Sequence, residues 1–224
     1  MKEAGDPAAS GGQVPSSVEH VDGRVSRAQR LRAQRRQQVR QAARRLFAQR
    51  GYHDTSIQDI LQEAGIARGT FYLHFDSKRA VFDDLVDDFL DRIRSMVRRV
   101  DTSPGAPPPL VQIEQNLSRV MDVLSSDRDM TRILLHLAQG LDKDCDAKVA
   151  DFYDRVLLLL GGALEQGQRM GLLRPCDSRV VAQAALGSLK EVVLHWIVRR
   201  DSAREEVEHV IREILRFALE GLFR

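Results

Sequence analysis

Aromatic residues are scarce in this chain, at 5% of 224 residues with a single tryptophan, so any large core must be built from Leu, Val, Ile and Ala. Only two cysteines are present, Cys145 and Cys176, which excludes a disulfide framework and fits a reducing compartment. No H-E-x-x-H, C-x-x-C or phosphate-loop pattern occurs among the six histidines, two cysteines and fifteen glycines. Cys145, Asp146 and His136 make no convincing triad. No enzyme, metal site or cofactor is therefore expected. No apolar run reaches the length expected of a membrane span, and no apolar stretch marks a signal peptide near the N-terminus. Strand-like alternation is missing throughout, leaving an all-α chain of about nine helices.

What is abundant is positive charge, in one place. The net charge of +2 conceals three unequal stretches. Residues 24–79 hold 13 Lys/Arg against 4 Asp/Glu, whereas residues 80–224 hold 20 against 24. A strongly basic module on a mildly acidic body is the electrostatic footprint of a duplex-binding head, although a solvated helix face gives the same count. Nine arginines lie between Ser26 and Arg50 with no acidic residue among them.

Residues 1–25 are rich in Gly, Pro, Ala and Ser and read as a disordered tail. Beyond Ser26, the stripe Val39, Ala42, Ala43, Leu46 and Phe47 predicts a basic amphipathic helix, stopped by Gly51. Thr55 is positioned to cap a second helix, with Gln58 completing a capping box, and Ile57, Ile60, Leu61 and Ala64 supply its buried face. Gly65 turns the chain into a third short helix, about 67–74. Asp76 or Ser77 caps a long fourth helix, running to about residue 100. Four prolines between 104 and 109 break it, and periodic segments follow near 110–125, 128–141, 146–169, 178–200 and 203–222.

Two short helices joined at a glycine turn form the unit that seats one helix in the major groove. Small residues Ala67, Gly69 and Thr70 keep the third helix slim, and Arg68 is free to reach guanine or phosphate. Tyr72 and His74 can donate to phosphates, and Lys78 adds charge. The run from Thr55 to Phe75, ending AGIARGTFYLHF, followed by Asp76-Ser77-Lys78 and Leu85, closely resembles the DNA-binding motif of the TetR family of bacterial transcriptional regulators. The resemblance covers about residues 40–85. It departs at Leu61, where a small residue is usual, at Phe71, where a smaller or aliphatic one is common, and at Ala67, where serine is frequent.

The resemblance implies an N-terminal three-helix head (26–79) and a larger helical domain (80–224) for effector binding and dimerisation. It implies DNA contacts from Thr55, Arg68, Gly69, Thr70, Tyr72, His74 and Lys78. It implies a homodimer on a palindromic operator, paired through a four-helix bundle of the last two helices of each copy. The periodicity of those helices only permits this. A small-molecule effector is implied, shifting the head spacing through the fourth helix, with repression as the family default. Polar and aromatic interruptions of the apolar faces, at Arg132, His136, Tyr153, Glu191, His195 and Trp196, are the candidates for the effector pocket. The run Val156–Leu160, apolar on nearly every side, suggests a greasy cavity and a hydrophobic effector; core packing explains it equally. A cytoplasmic location, associated with the nucleoid when bound, is expected. A weakly specific architectural DNA binder is the rival reading. The segment Arg24–Arg36 precedes the motif and reads either as an arm along the minor groove or flanking backbone, or as a solvated helix extension.

Overall fold

A computed structural model describes residues 18–137, 143–200 and 202–222, with side chains described over 27–135, 147–200, 202–203 and 205–217. Among these residues every regular element is helical. Helix α1 runs Val18–Arg50, α2 Ile57–Ala64, α3 Arg68–Tyr72 and α4 Lys78–Met96. Helix α5 follows at Pro109–Ser126, then α6 at Arg128–Arg132, continued by a π-helical segment Ile133–Leu137. Helix α7 spans Lys143–Arg169, α8 Ser178–Val192 with a π-helical continuation Val193–Arg199, and α9 Arg204–Leu222.

The basic helix begins earlier than composition suggests. Residues 18–25 of the expected tail continue α1, and residues 1–17 lie outside the described residues. Helix α1 enters the core only at Val39, where Val39, Ala42, Ala43, Leu46 and Phe47 turn inward as the stripe predicts. They meet Ile60 and Leu61 of α2, Phe71 of α3 and Val81, Phe82 and Leu85 of α4 in one cluster. Phe47 packs edge-on against Phe82, with Tyr52 closing the aromatic group. The same cluster runs on into α5, α6, α7, the π segment after α8 and α9, so head and body share a continuous apolar core.

Capping chemistry sets the head's boundaries, one residue away from the sequence expectation. Ser56, not Thr55, caps α2: its hydroxyl accepts from the Asp59 backbone N–H, while the Asp59 carboxylate accepts from the Ser56 backbone N–H. That pairing holds the Asp59 carboxyl below its ordinary range. Thr55 is instead buried, its hydroxyl donating to the Gly51 carbonyl at 2.7 Å. Gly65 takes the left-handed conformation (φ 63°) that ends α2 and turns into α3. Ser77 caps α4.

Helix α4 ends at Met96, short of the expected residue 100, because two side-chain amides of α5 capture the following backbone. Asn116 accepts from the Arg98 N–H and donates to the Arg98 carbonyl. Gln112 does the same for Asp101 and also donates to Pro107. These bonds replace the ladder that four more helical residues would have made.

The leucine run of α7 is not enclosed. Leu158 is 76% and Leu159 67% exposed within the chain, which corrects the expectation of a helix buried from several directions. The helical stretch Ser178–Arg199 is a second departure. It is 22 residues long and its most apolar 18-residue window has a mean hydropathy of 1.2, long and apolar enough to cross a membrane, contrary to the sequence reading; only 17% of that window is buried in the chain.

Candidate nucleic-acid interface

Helix α3 shows two faces. Phe71 and Phe75 point into the core, while Arg68, Gly69, Tyr72 and Leu73 are exposed and Thr70 and His74 are half-buried. Four of the seven expected DNA-contacting residues, Arg68, Gly69, Thr70 and Tyr72, therefore sit together on this one short helix, with His74 just beyond its end. The Arg68 guanidinium stands 5.8 Å from the Tyr72 ring centroid, close enough to travel with it as a unit. Leu73, 67% exposed beside them, escaped the sequence reading. Its signal was a large apolar residue inside a polar recognition run, a residue type suited to the thymine methyl group.

Two of the expected contacts have structural employment instead. The Lys78 ammonium donates to the Tyr52 carbonyl at 2.6 Å and the Thr55 carbonyl at 2.7 Å, and lies 4.2 Å from the Tyr52 ring centroid. A cation at a helix N-terminus opposes the helix dipole, so these acceptors are what make the position tolerable. Burial also pulls the Lys78 pKa below its ordinary value. Thr55, buried with its hydroxyl bonded to Gly51, offers no free group to a phosphate. Lys78 and Thr55 together lock the turn between α1 and α2 to the start of α4, and so set the angle at which α3 is presented.

The arginine run divides in two. Arg36, Arg40, Arg44, Arg45 and Arg50 are paired with Asp84, Asp84 and Asp88, Asp127 and Asp129, Glu63, and Asp59 respectively. Arg36 also stacks over the Phe75 ring at 4.7 Å. Arg27, Arg30, Arg32 and Arg35 are exposed and make no ion pair with any described residue. Arg32 and Arg36 lie near enough to His74 to hold its pKa below the ordinary 6.5, together with the larger effect of burial. The outer part of α1 thus runs past the exit of α3.

The pocket candidates whose side chains are described do not converge. Arg132, Glu191 and His195 are exposed, and Glu191 faces Arg199 at 3.8 Å. Trp196 is half-buried beneath Arg200 and beside His195. The side chain of His136 lies outside the described residues. Tyr153 packs against the core. Its hydroxyl is buried with no hydrogen-bond partner, burial pushes its pKa up to about 12, and the Lys190 ammonium sits 4.2 Å from its ring centroid. Trp196 instead lines an open, largely apolar groove of about 370 Å³ between the end of α8 with its π-helical continuation and α9, with Val192, His209, Val210, Glu213, Ile214 and Phe217.

Besides the shared core and the surface ion pairs of Arg36 and Arg40, one buried carboxylate ties head to body. Asp127, 7% exposed, accepts from Arg44 of α1 (3.2 Å) and Arg92 of α4 (2.9 Å) and from the Met130 backbone N–H, capping α6. Three elements from both halves of the chain meet on this side chain.

Residues 39–85 match the family model of bacterial regulatory proteins of the tetR family. The chain is 29% identical over 176 residues to the regulator TtgR of Pseudomonas putida, covering 75% of this chain and 82% of that one. It is 26% identical over 167 residues to the fatty acid metabolism regulator protein of Bacillus subtilis, covering 72% and 82%. Its fold superposes on the ketosteroid transcriptional regulator KstR2 of Mycobacterium tuberculosis with a TM-score of 0.68 at 25% identity, covering 85% of this chain and 95% of that one.

Proposed function

The chain belongs to the TetR family of bacterial regulatory proteins and is a DNA-binding transcriptional regulator rather than an enzyme, and we propose that it acts as a cytoplasmic homodimeric repressor released from a palindromic operator by a hydrophobic effector. The observation that carries the DNA reading is the outward face of α3, where Arg68, Gly69, Thr70 and Tyr72 stand clear of a fully packed Phe71–Phe75 side. Arg68 reads base edges or phosphate, Tyr72 and Thr70 hold phosphates, and Leu73 meets a thymine methyl. His74 adds a backbone contact once phosphate proximity raises its pKa. Thr55 and Lys78 serve by fixing the head rather than by touching DNA. Residues 26–79 act as the reading head and 80–224 as the effector and dimerisation body.

A single head touches too few phosphates to be specific, so two copies are needed. Large apolar side chains left uncovered on the body support pairing: Leu158 and Leu159 on α7, Val180 on α8 and Phe217 on α9, which is 82% exposed. The span-length apolar stretch Ser178–Arg199, little buried within one chain, fits the same seam better than it fits a membrane, since Lys190 and Glu191 interrupt it. The effector reading rests on the buried, unpartnered Tyr153 hydroxyl as a polar anchor among apolar neighbours. The fatty-acid and ketosteroid regulators among the similar proteins favour an acyl or polycyclic ligand. An effector binding beside α7 and α8 shifts the equilibrium between two head spacings, and Asp127 carries that shift to α1 and α4.

Competition between a genomic site and random duplex at physiological salt tests the DNA reading. A preference on the order of 10³-fold or more is expected, abolished in Arg68→Ala. Equal retention of both duplexes would favour an architectural binder and overturn it.

A further inference from the structure

Helix α1 starts 21 residues before the family-matched segment begins at Val39, and four arginines of that leading part, Arg27, Arg30, Arg32 and Arg35, make no ion pair with any described residue. Nothing in residues 27–35 is buried; even Leu31 is 48% exposed. This stretch therefore gains no stability from the core. It also places like charges three or four residues apart, at Arg27 and Arg30, Arg32 and Arg35, and Arg32 and Arg36, spacings that weaken a free helix. An unpacked helix loaded with its own repulsion has no purpose in the protein by itself. A polyanion removes both costs, by neutralising the arginines and giving the helix something to lie on.

Position says which polyanion. Arg32 and Arg36 bear electrostatically on His74, at the exit of α3, and Arg36 stacks on Phe75 of the same turn. The free arginines thus continue outward from the edge of the reading head. At ~1.5 Å per residue, Arg27 lies about 18 Å beyond Val39, the length of roughly 5 base-pair steps.

We propose that the leading part of α1, through Arg27, Arg30, Arg32 and Arg35, is a second DNA-binding element that grips phosphates of the duplex flanking the site read by α3. The inference rests on the reading of α3 as the recognition helix, yet makes its own demand. The bound duplex must extend about half a helical turn past each half-site, and affinity must depend on its length but not on its sequence there. The paired arginines, from Arg36 to Arg50, do not take part.

The test uses the full-length protein and the variant Arg27→Gln, Arg30→Gln, Arg32→Gln, Arg35→Gln. Binding is followed between about 50 and 200 mM salt on a genomic site with full flanks and with each flank cut back by about 5 base pairs. The variant is expected to lower the slope of log K against log salt by about 0.9 for each phosphate it no longer neutralises, up to ~3.6 per protomer. Wild type is expected to lose the same slope on the shortened duplex, and the variant to be indifferent to shortening. All four substitutions are at exposed positions, so an unchanged melting temperature is the control for folding. Equal slopes for variant and wild type on the full duplex would overturn the proposal. So would a wild-type slope that ignores flank length. Failure of the operator reading looks different: no site is preferred over random duplex, while the slope difference between wild type and variant on long DNA still reports on this element.

Discussion

Replacing Asp127 should loosen the joint between head and body, and the structure sets the size of the effect. Its carboxylate is buried and serves two arginines and one helix N-terminus. Stripping one partner from a fully buried pair costs about 3–5 kcal/mol. Here the arginines keep water access, at 34% exposure for Arg44 and 41% for Arg92, and Arg44 retains Asp129 at 3.8 Å. The charge loss is therefore discounted to about 1–2 kcal/mol. Asp127→Asn keeps an oxygen to cap α6 and loses only that. Asp127→Ala also loses the cap, adding about 1 kcal/mol. For a chain of this size 1 kcal/mol moves the melting temperature by roughly 2–4 °C. Thermal unfolding should thus show Asp127→Asn down by about 2–8 °C and Asp127→Ala lower still by roughly 2–4 °C. Both variants should bind operator with reduced response to effector. Wild-type melting in both variants would refute the account of Asp127 as the joint, and equal losses in the two would refute the split between charge and cap.

Lys78→Met removes two bonds to backbone carbonyls; it should destabilise the head by about 1–3 kcal/mol in denaturant titration and leave the salt slope of DNA binding unchanged, whereas the removal of a phosphate-binding cation would lower it by ~0.9. His74 has a folded pKa below its unfolded 6.5, so the unfolded chain takes up its proton first as pH falls. The free protein should then lose stability on acidification through 6.5, with His74→Gln flattening that part of a melting-temperature profile. Operator affinity should rise over the same range, because phosphate favours the imidazolium; a pH-independent affinity would remove His74 from the interface. Phe217→Glu places a charge on the exposed apolar face of α9 and should yield monomers by sedimentation, with specific DNA binding lost although Arg68 and Tyr72 are intact.

The head was legible because its determinants are local. The i, i+3, i+4 stripe from Val39 to Phe47, the Gly65 turn and the short α3 each depend on neighbours within a few residues, and each stands where periodicity puts it. Thr55 and Ser56 show the limit of that logic. Two adjacent hydroxyls can both cap α2, and the choice falls to the one left free once Thr55 bonds Gly51 across the tight turn. The arginine run shows it more sharply. Sequence counts nine equal charges, but the partners Asp84, Asp88 and Asp127 arrive from 44 to 83 residues later, so only folding separates the paired from the free. The same distance hid the role of Lys78, whose acceptors lie 23 and 26 residues upstream. In the body, apolar width was visible in Val156–Leu160. Whether a given leucine faces a cavity, the core or a second copy is a property of packing, and Leu158 and Leu159 face outward.

The central claim is that the exposed face of α3, presented twice by a dimer, reads a particular sequence. Incubating the purified protein with fragments of its own genome and sequencing the DNA retained tests this most directly. A palindromic site with half-sites one helical turn or a multiple apart, absent from the retained pool with Arg68→Ala, is the result predicted. Uniform retention across the genome, unaffected by Arg68→Ala and governed by salt alone, would contradict it.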